Sequence, residues 1–145
     1  MVEFHEITEA NKAVALSIRG KTGQERFVSS VAESLADAEQ YGDVAWPRLM
    51  IDGDEPVGFV MGGFGEEEPF RSLVWKLLVD EKHQGKSYGR LAVEAVAEEA
   101  RRRGRDRLGA FFHLGPEGPE GFWARLGFVI EDPSRQPEVI AHRDL

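Results

Sequence analysis

Residues 73–79, Leu-Val-Trp-Lys-Leu-Leu-Val, are apolar apart from Lys76, a run that suits a strand covered on both faces. From 91 to 100 the period changes: Ala92, Val93, Val96 and Ala100 recur at helical spacing, while Glu94, Glu98 and Glu99 fall on other faces. Between strand and helix, Gln84, Gly85, Lys86, Ser87, Tyr88, Gly89 and Arg90 form a loop with two glycines. Its amides, with the unpaired N–H groups and positive dipole end of the following helix, make a phosphate cradle.

Upstream, residues 2–7 read as a first strand, and Thr8 caps a helix with Ala10, Ala13, Val14 and Ile18 on its buried side. Gly20 and Gly23 open a loop. Two overlapping capping boxes follow, Ser30 with Glu33 and Ser34 with Asp37, so a helix starts at one of them and stops before Gly42. Residues 49–51 and 57–64 flank the turn-rich Asp52-Gly53-Asp54-Glu55-Pro56 and predict an antiparallel hairpin. A loop over 65–69 leads into the central strand.

Downstream, Glu98 with Arg102 and Glu99 with Arg103 have the favourable i, i+4 order, and Gly104 ends the helix. The arginines from 101 to 107 then read as a solvated helix end rather than a nucleic-acid patch. Residues 108–114 form another strand, parallel to the central one because a helix separates them. Pro119 suits a first helical position, residues 122–126 a short helix before Gly127, and 128–130 with 139–142 a closing hairpin. No repeat or linker interrupts the 145 residues, which read as one domain, 1–145.

Two nucleotide signatures can be excluded from the cradle. Gly85-Lys86-Ser87 looks like the end of a P-loop, but the required glycine five residues earlier is Asp80. The three-glycine dinucleotide fingerprint fails because only Gly85 and Gly89 are present. Composition narrows the partners. A net charge of −8 argues against nucleic acid or an anionic membrane and favours a cationic ligand. No apolar run approaches the roughly 20 residues of a membrane helix, and the start of the chain lacks a signal-peptide pattern, so a cytoplasmic location is expected. With no cysteine and four scattered histidines, no metal site is expected.

What the loop does match is the Gln/Arg-x-x-Gly-x-Gly/Ala motif of the GNAT acyltransferases, through Gln84, Ser87 and Gly89. LVWKLLVDEKHQGKSYGR resembles that family's central strand and cofactor loop, and GFWARLGF its closing segment. Gln24, Phe27, Ser34-Leu35-Ala36-Asp37 and Val57-Gly58-Phe59-Val60-Met61 resemble the bacterial diamine and polyamine branch. The resemblance implies an α/β (α+β) fold in which a mixed central sheet, with a splayed parallel strand pair, is flanked by helices. It also implies acetyl-coenzyme A as acyl donor and a small-molecule amine as acceptor.

By the same resemblance, the backbone of Leu77, Leu78 and Val79 pairs with the pantetheine arm. The pyrophosphate sits on the amides of 85–90, with Gln84 and Lys86 nearby. Ser87 replaces a family glycine and is strained if the position needs a positive φ. Leu78 is the expected backbone oxyanion donor. The family's tyrosine acid falls on Trp123, which cannot give up a proton at neutral pH. A carboxylate found in some polyamine enzymes falls on Trp75, a position facing the acceptor. Glu33 and Asp37, and Glu66 to Glu68 in the loop before the central strand, are the remaining carboxylates that could face the acceptor, each with a plain capping or solvated reading beside it. His83 and His113 are read as packing residues. Two functions stay open: a small-amine N-acetyltransferase, and an acetyl-coenzyme A-binding module with weak or no catalysis. A homodimer is left open too.

Overall fold

The computed structural model describes residues 1–20, 30–68, 70–116 and 118–145. The expected features at Gly23, Gln24, Phe27 and Pro69 lie outside the described residues. Strands β1 (Val2–Glu6), β2 (Ala45–Asp52), β3 (Glu55–Gly63), β4 (Leu73–Val79), β5 (Arg107–His113), β6 (Val129–Ile130) and β7 (Glu138–Asp144) form one sheet in the order β1-β2-β3-β4-β5-β7-β6. Neighbours are antiparallel except β4 and β5, which are parallel. The helices are α1 (Lys12–Leu16), α2 (Val31–Tyr41), α3 (Tyr88–Arg102) and α4 (Glu120–Arg125). This is the mixed α/β architecture expected.

Apolar residues on both faces of the sheet make two cores. Val60, Val74, Val93, Val96, Leu108, Phe112 and Trp123 lie with α3 and α4; Ala15, Ile18, Val31, Leu49, Phe59, Met61 and Leu78 lie with α1 and α2. Strands covered on both sides cannot show a clean polar alternation, which is why β3 and β4 read as apolar runs.

One irregularity decides where β4 presents its side chains. Its register against β3 runs Phe59↔Leu78, Val60↔Leu77, Met61↔Lys76 and then Gly62↔Val74, leaving Trp75 as an extra residue. A bulge of this kind shifts the phase of the strand by one residue. Trp75 and Lys76 consequently share the α2 face, Lys76 Nζ lying 3.4 Å from Asp37 and the Trp75 ring edge-on to Tyr41 at 5.3 Å. The parallel pairing ends where the bulge begins: β4 meets β5 only at Leu73↔Gly109 and Val74↔Ala110. The pair therefore splays.

Several local expectations shift. In α1 the buried residues are Ala15 and nearby Ile18, whereas Ala10, Ala13 and Val14 are exposed. Thr8 caps the turn that leads into the helix: it exchanges hydrogen bonds with Asn11 (2.8 and 3.3 Å) and its carbonyl accepts from the Lys12 amide at 2.9 Å, although the regular helix starts only at Lys12. Ser30, not Ser34, starts α2 with a complete capping box to Glu33, and Ser34 is buried, donating to the Ser30 carbonyl. Strand β2 begins at Ala45 rather than 49, where Trp46 packs on the α3 core under the Arg48 guanidinium. Helix α3 starts at Tyr88, so the last three loop residues are its first turn. Pro119 is the residue before α4, not its first.

Glu98 bonds Arg101 rather than Arg102, and Glu99 is buried, not solvated. Burial works to raise the Glu99 carboxyl, but the bonds from Arg102 and Arg103 outweigh it and the net shift is downward. His83 packs edge-on against Tyr88 as expected, whereas His113 is half-exposed and 3.6 Å from Glu138.

Ser30→Ala removes one half of the α2 capping box and should cost about 1 kcal/mol in urea unfolding. Glu94 on α3 accepts from Arg143 on β7 at 2.8 and 3.0 Å, and those bonds hold its carboxyl below the usual range. A depressed carboxyl contributes stability above its unfolded pKa and loses it as pH falls through its folded one. Acidification below about pH 4.5 should therefore weaken the wild type. Glu94→Gln should be less stable at neutral pH and lose less on acidification, as thermal melts across pH would show.

Candidate active site

The splay between β4 and β5 opens into a cavity of about 640 Å³. It is lined by Leu77, Leu78 and Val79 of β4, by Gln84, Gly85, Ser87, Tyr88, Gly89 and Arg90, by Pro119, Phe122, Arg125 and Leu126 around α4, and by Gly20. Of the residues expected to bind a cofactor, only Lys86 does not line it.

Backbone parity assigns the strand's free groups. The Asp80 amide donates to the Val57 carbonyl at 2.8 Å. In an antiparallel ladder hydrogen-bonded pairs alternate, so Phe59↔Leu78 is the next such pair in the β3 register. The backbone of Leu78 is turned toward β3, and that of Leu77 and Val79 toward the gap. Gln84 Nε2 donates to the Val79 carbonyl from that side at 3.2 Å. The expectation that Leu78 supplies an oxyanion-binding amide is corrected on this ground: its N–H is committed to β3, and the amides available are those of Leu77 and Val79.

The cradle follows. Gly85 has φ +80°, which suits glycine, and Ser87 has φ 69° and ψ 11°, the left-handed region. Among the described residues Ser87 is the one non-glycine with a positive φ, and its side chain makes no capping bond. The Ser87 carbonyl accepts from Leu91, which leaves the amides of Tyr88, Gly89 and Arg90 without helical acceptors at the cavity.

Tyr88 is fixed by its hydroxyl, which donates to Asp52 Oδ2 at 2.6 Å. That bond pulls the Asp52 carboxyl down and pushes the Tyr88 phenol up, which suits anchoring better than acid catalysis. A Cβ on Gly89 would stand 3.0 Å from Phe122 Cε1, so α3 and α4 are packed tightly here and a larger residue would push the Phe122 ring aside by a few tenths of an ångström. Asp80, 9% exposed, accepts from the Arg19 amide at 3.0 Å, and the Glu81 amide donates to the Arg19 carbonyl at 2.7 Å. This reciprocal pair holds Gly20 at the cavity.

On α4, Phe122, Arg125 and Leu126 share one face, and these were missed in the sequence. The signal was their i, i+3, i+4 spacing inside GFWARLGF. Trp123 lies one residue off that face. It is 6% exposed, stacked on Phe112 at 6.0 Å and edge-on to Phe122 and Phe128 at 5.0 and 5.1 Å. It does not line the cavity.

The acceptor candidates also lie elsewhere. Glu33 is held in the capping box, where the Ser30 backbone and side-chain hydrogen bonds lower its pKa. Asp37 faces Lys76, and Trp75 faces Tyr41. Glu66 to Glu68 are exposed. Neither these residues nor any other carboxylate or imidazole among the described residues lines the cavity.

A backbone slot beside a helix-start anion cradle, in this topology, defines a class. Residues 15–128 match the model of the acetyltransferase (GNAT) family, and the chain belongs to that family. No curated protein matches the chain. Among solved structures, the PaiA N-acetyltransferase of Thermoplasma acidophilum in complex with coenzyme A aligns with TM-score 0.74 at 11% identity, covering 100% of this chain and 99% of that one. A GNAT family acetyltransferase from Elizabethkingia anophelis with acetyl-CoA bound aligns at 0.71 and 16%, covering 100% and 97%. The ribosomal-protein-S18-alanine N-acetyltransferase of Escherichia coli aligns at 0.73 and 15%, covering 99% and 94%. At these identities the likeness is one of fold. Among the described residues no helix is long and apolar enough to cross a membrane.

Ser87→Gly should stabilise the fold by about 1 kcal/mol by relieving the left-handed strain. Ser87→Ala, which keeps the strain and loses no cap, should be near neutral. Chemical denaturation of the two variants checks this without reference to any ligand.

Proposed function

We propose that the chain transfers an acetyl group from acetyl-coenzyme A to a primary amine of a small molecule, with a diamine or polyamine as the favoured acceptor. The observation that supports this most is the juxtaposition of the Leu77 and Val79 backbone, left unpaired by β5, with the cradle at 84–90 on one cavity. Coenzyme A fits that pair of features. An amide-bearing arm can extend the sheet from β4, and a diphosphate can accept from the amides of Tyr88 to Arg90. Two relatives in fold are described with coenzyme A or acetyl-CoA bound. The net charge of −8 suits a cationic acceptor, and the absence of a spanning helix among the described residues suits the cytoplasm.

Acetyl-coenzyme A supplies an acyl group activated as a thioester. The amine nitrogen attacks the carbonyl carbon, the C–S bond breaks, and the nitrogen loses one proton while the sulfur ends as a thiol. The Leu77 or Val79 amide is placed to stabilise charge on the carbonyl oxygen. A nitrogen of pKa ~10 is mostly protonated at neutral pH. With no carboxylate or imidazole among the described lining residues, its proton leaves through solvent. A thiol of pKa about 8.5 departs without an acid, so the missing group costs ~10²-fold or more in rate rather than all turnover.

The packing of Trp123 away from the cavity supports a second reading, a module that binds acetyl-coenzyme A with weak or no catalysis.

Thiol release from acetyl-coenzyme A, measured with spermidine, diamines, amino acids, aminoglycosides and a peptide α-amine, separates the two. The expected result is release with a di- or polyamine, rising with pH from 7 to 9 as the free amine forms. Cofactor binding with no release from any amine overturns the enzyme reading. Trp123→Tyr should give no rate gain, because its position faces the core; a large gain would place proton delivery there.

A further inference from the structure

Coenzyme A carries two separate anionic groups, a diphosphate and a ribose phosphomonoester, and the backbone cradle accounts for one of them. Arg125 is a cation that neither the fold nor the cradle uses. It lines the cavity from α4, and no hydrogen bond or ion pair joins it to another described residue. A plain helix-end role does not fit its direction. Its Nη1 lies 3.4 Å from where a Cβ on Gly121 would stand, back along α4 and away from the C-terminal carbonyls.

Arg90 lines the same cavity. Its nearest helical carboxylate, Glu94, is taken by Arg143 at 2.8 and 3.0 Å. Gly89 abuts Phe122, so Arg90, next after Gly89, and Arg125, one turn after Phe122, flank one junction of α3 and α4. Arg125, without a partner among the described residues, and Arg90, which shares Glu94 with Arg143, form at that junction a local field suited to a dianion, and each fork matches phosphate oxygens.

We propose that Arg125, assisted by Arg90, is a second phosphate grip that takes the ribose 3′-phosphate of coenzyme A and makes the protein select coenzyme A over its 3′-dephospho form. This rests on the donor assigned above. The test is titration calorimetry of the full chain with coenzyme A and with 3′-dephospho-coenzyme A. The proteins are the wild type, Arg125→Gln, Arg125→Lys and, as a control on an exposed loop, Arg135→Gln.

The wild type should bind coenzyme A about tenfold or more tightly than the dephospho form. Arg125→Gln should erase most of that preference while leaving dephospho affinity within about twofold, with Arg125→Lys intermediate and Arg135→Gln unchanged. Equal wild-type affinity for the two ligands overturns the inference. So does an equal loss of both in Arg125→Gln, which would put the arginine on the diphosphate, or no loss of either. A wild type that binds neither ligand takes the donor assignment down as well, an outcome distinct from the other three. Thermal melts of each variant establish that it is folded.

Discussion

The site depends on one extra residue in a strand. Because Trp75 has no partner on β3, the side chains of β4 change faces at that point, and Lys76 follows Trp75 onto the α2 side instead of alternating away from it. Leu77 and Leu78 then resume alternation in the shifted phase, one in each core. The same stretch is where β5 leaves the ladder, having paired at only two positions. A straight parallel pair would consume the backbone groups of Leu77 and Val79. The bulged and splayed pair leaves them facing a cavity.

The cradle beside it combines strain with anchoring. Ser87 occupies a backbone region that a residue with a Cβ enters at a cost of about 1–2 kcal/mol. The neighbours that hold it there come from distant parts of the chain: Tyr88 is fastened to Asp52 at the β2–β3 turn, and Gly89 is pressed to Phe122 of α4. Such over-determination is what lets a strained residue persist at a binding loop. It also means that amide direction at the start of α3 is set by tertiary packing as much as by the loop's own sequence.

Features set by local chemistry were readable from the chain. The 73–79 strand, the Ser30 box, the cradle glycines and the end of α3 at Gly104 follow from period, capping and turn residues, and each is present. Features set by register and facing were not. Whether Leu77 or Leu78 offers its amide to the cavity depends on a bulge that no composition announces. Trp123 and Phe122 are neighbours in a motif, yet one is core and the other lines the cavity, because a helix separates adjacent side chains by about 100°. The burial of Glu99 beneath two arginines breaks the usual reading of a charge as solvated. A glutamate accepting several charge-assisted bonds can be taken out of water, and sequence alone does not say which one is.

The reciprocal bonds between Arg19 and the Asp80–Glu81 pair join parts of the chain 61 residues apart at Asp80. A contact of that span closes a long loop, whose entropy must be given up before the bond returns anything. The cavity wall at Gly20 is thus held to the start of the cradle by a contact that is costly in loop entropy. Local unfolding there would detach the wall from the cradle while the β2–β3–β4 meander stayed intact. A ligand that bridges wall and cradle would add a second link across the same long loop.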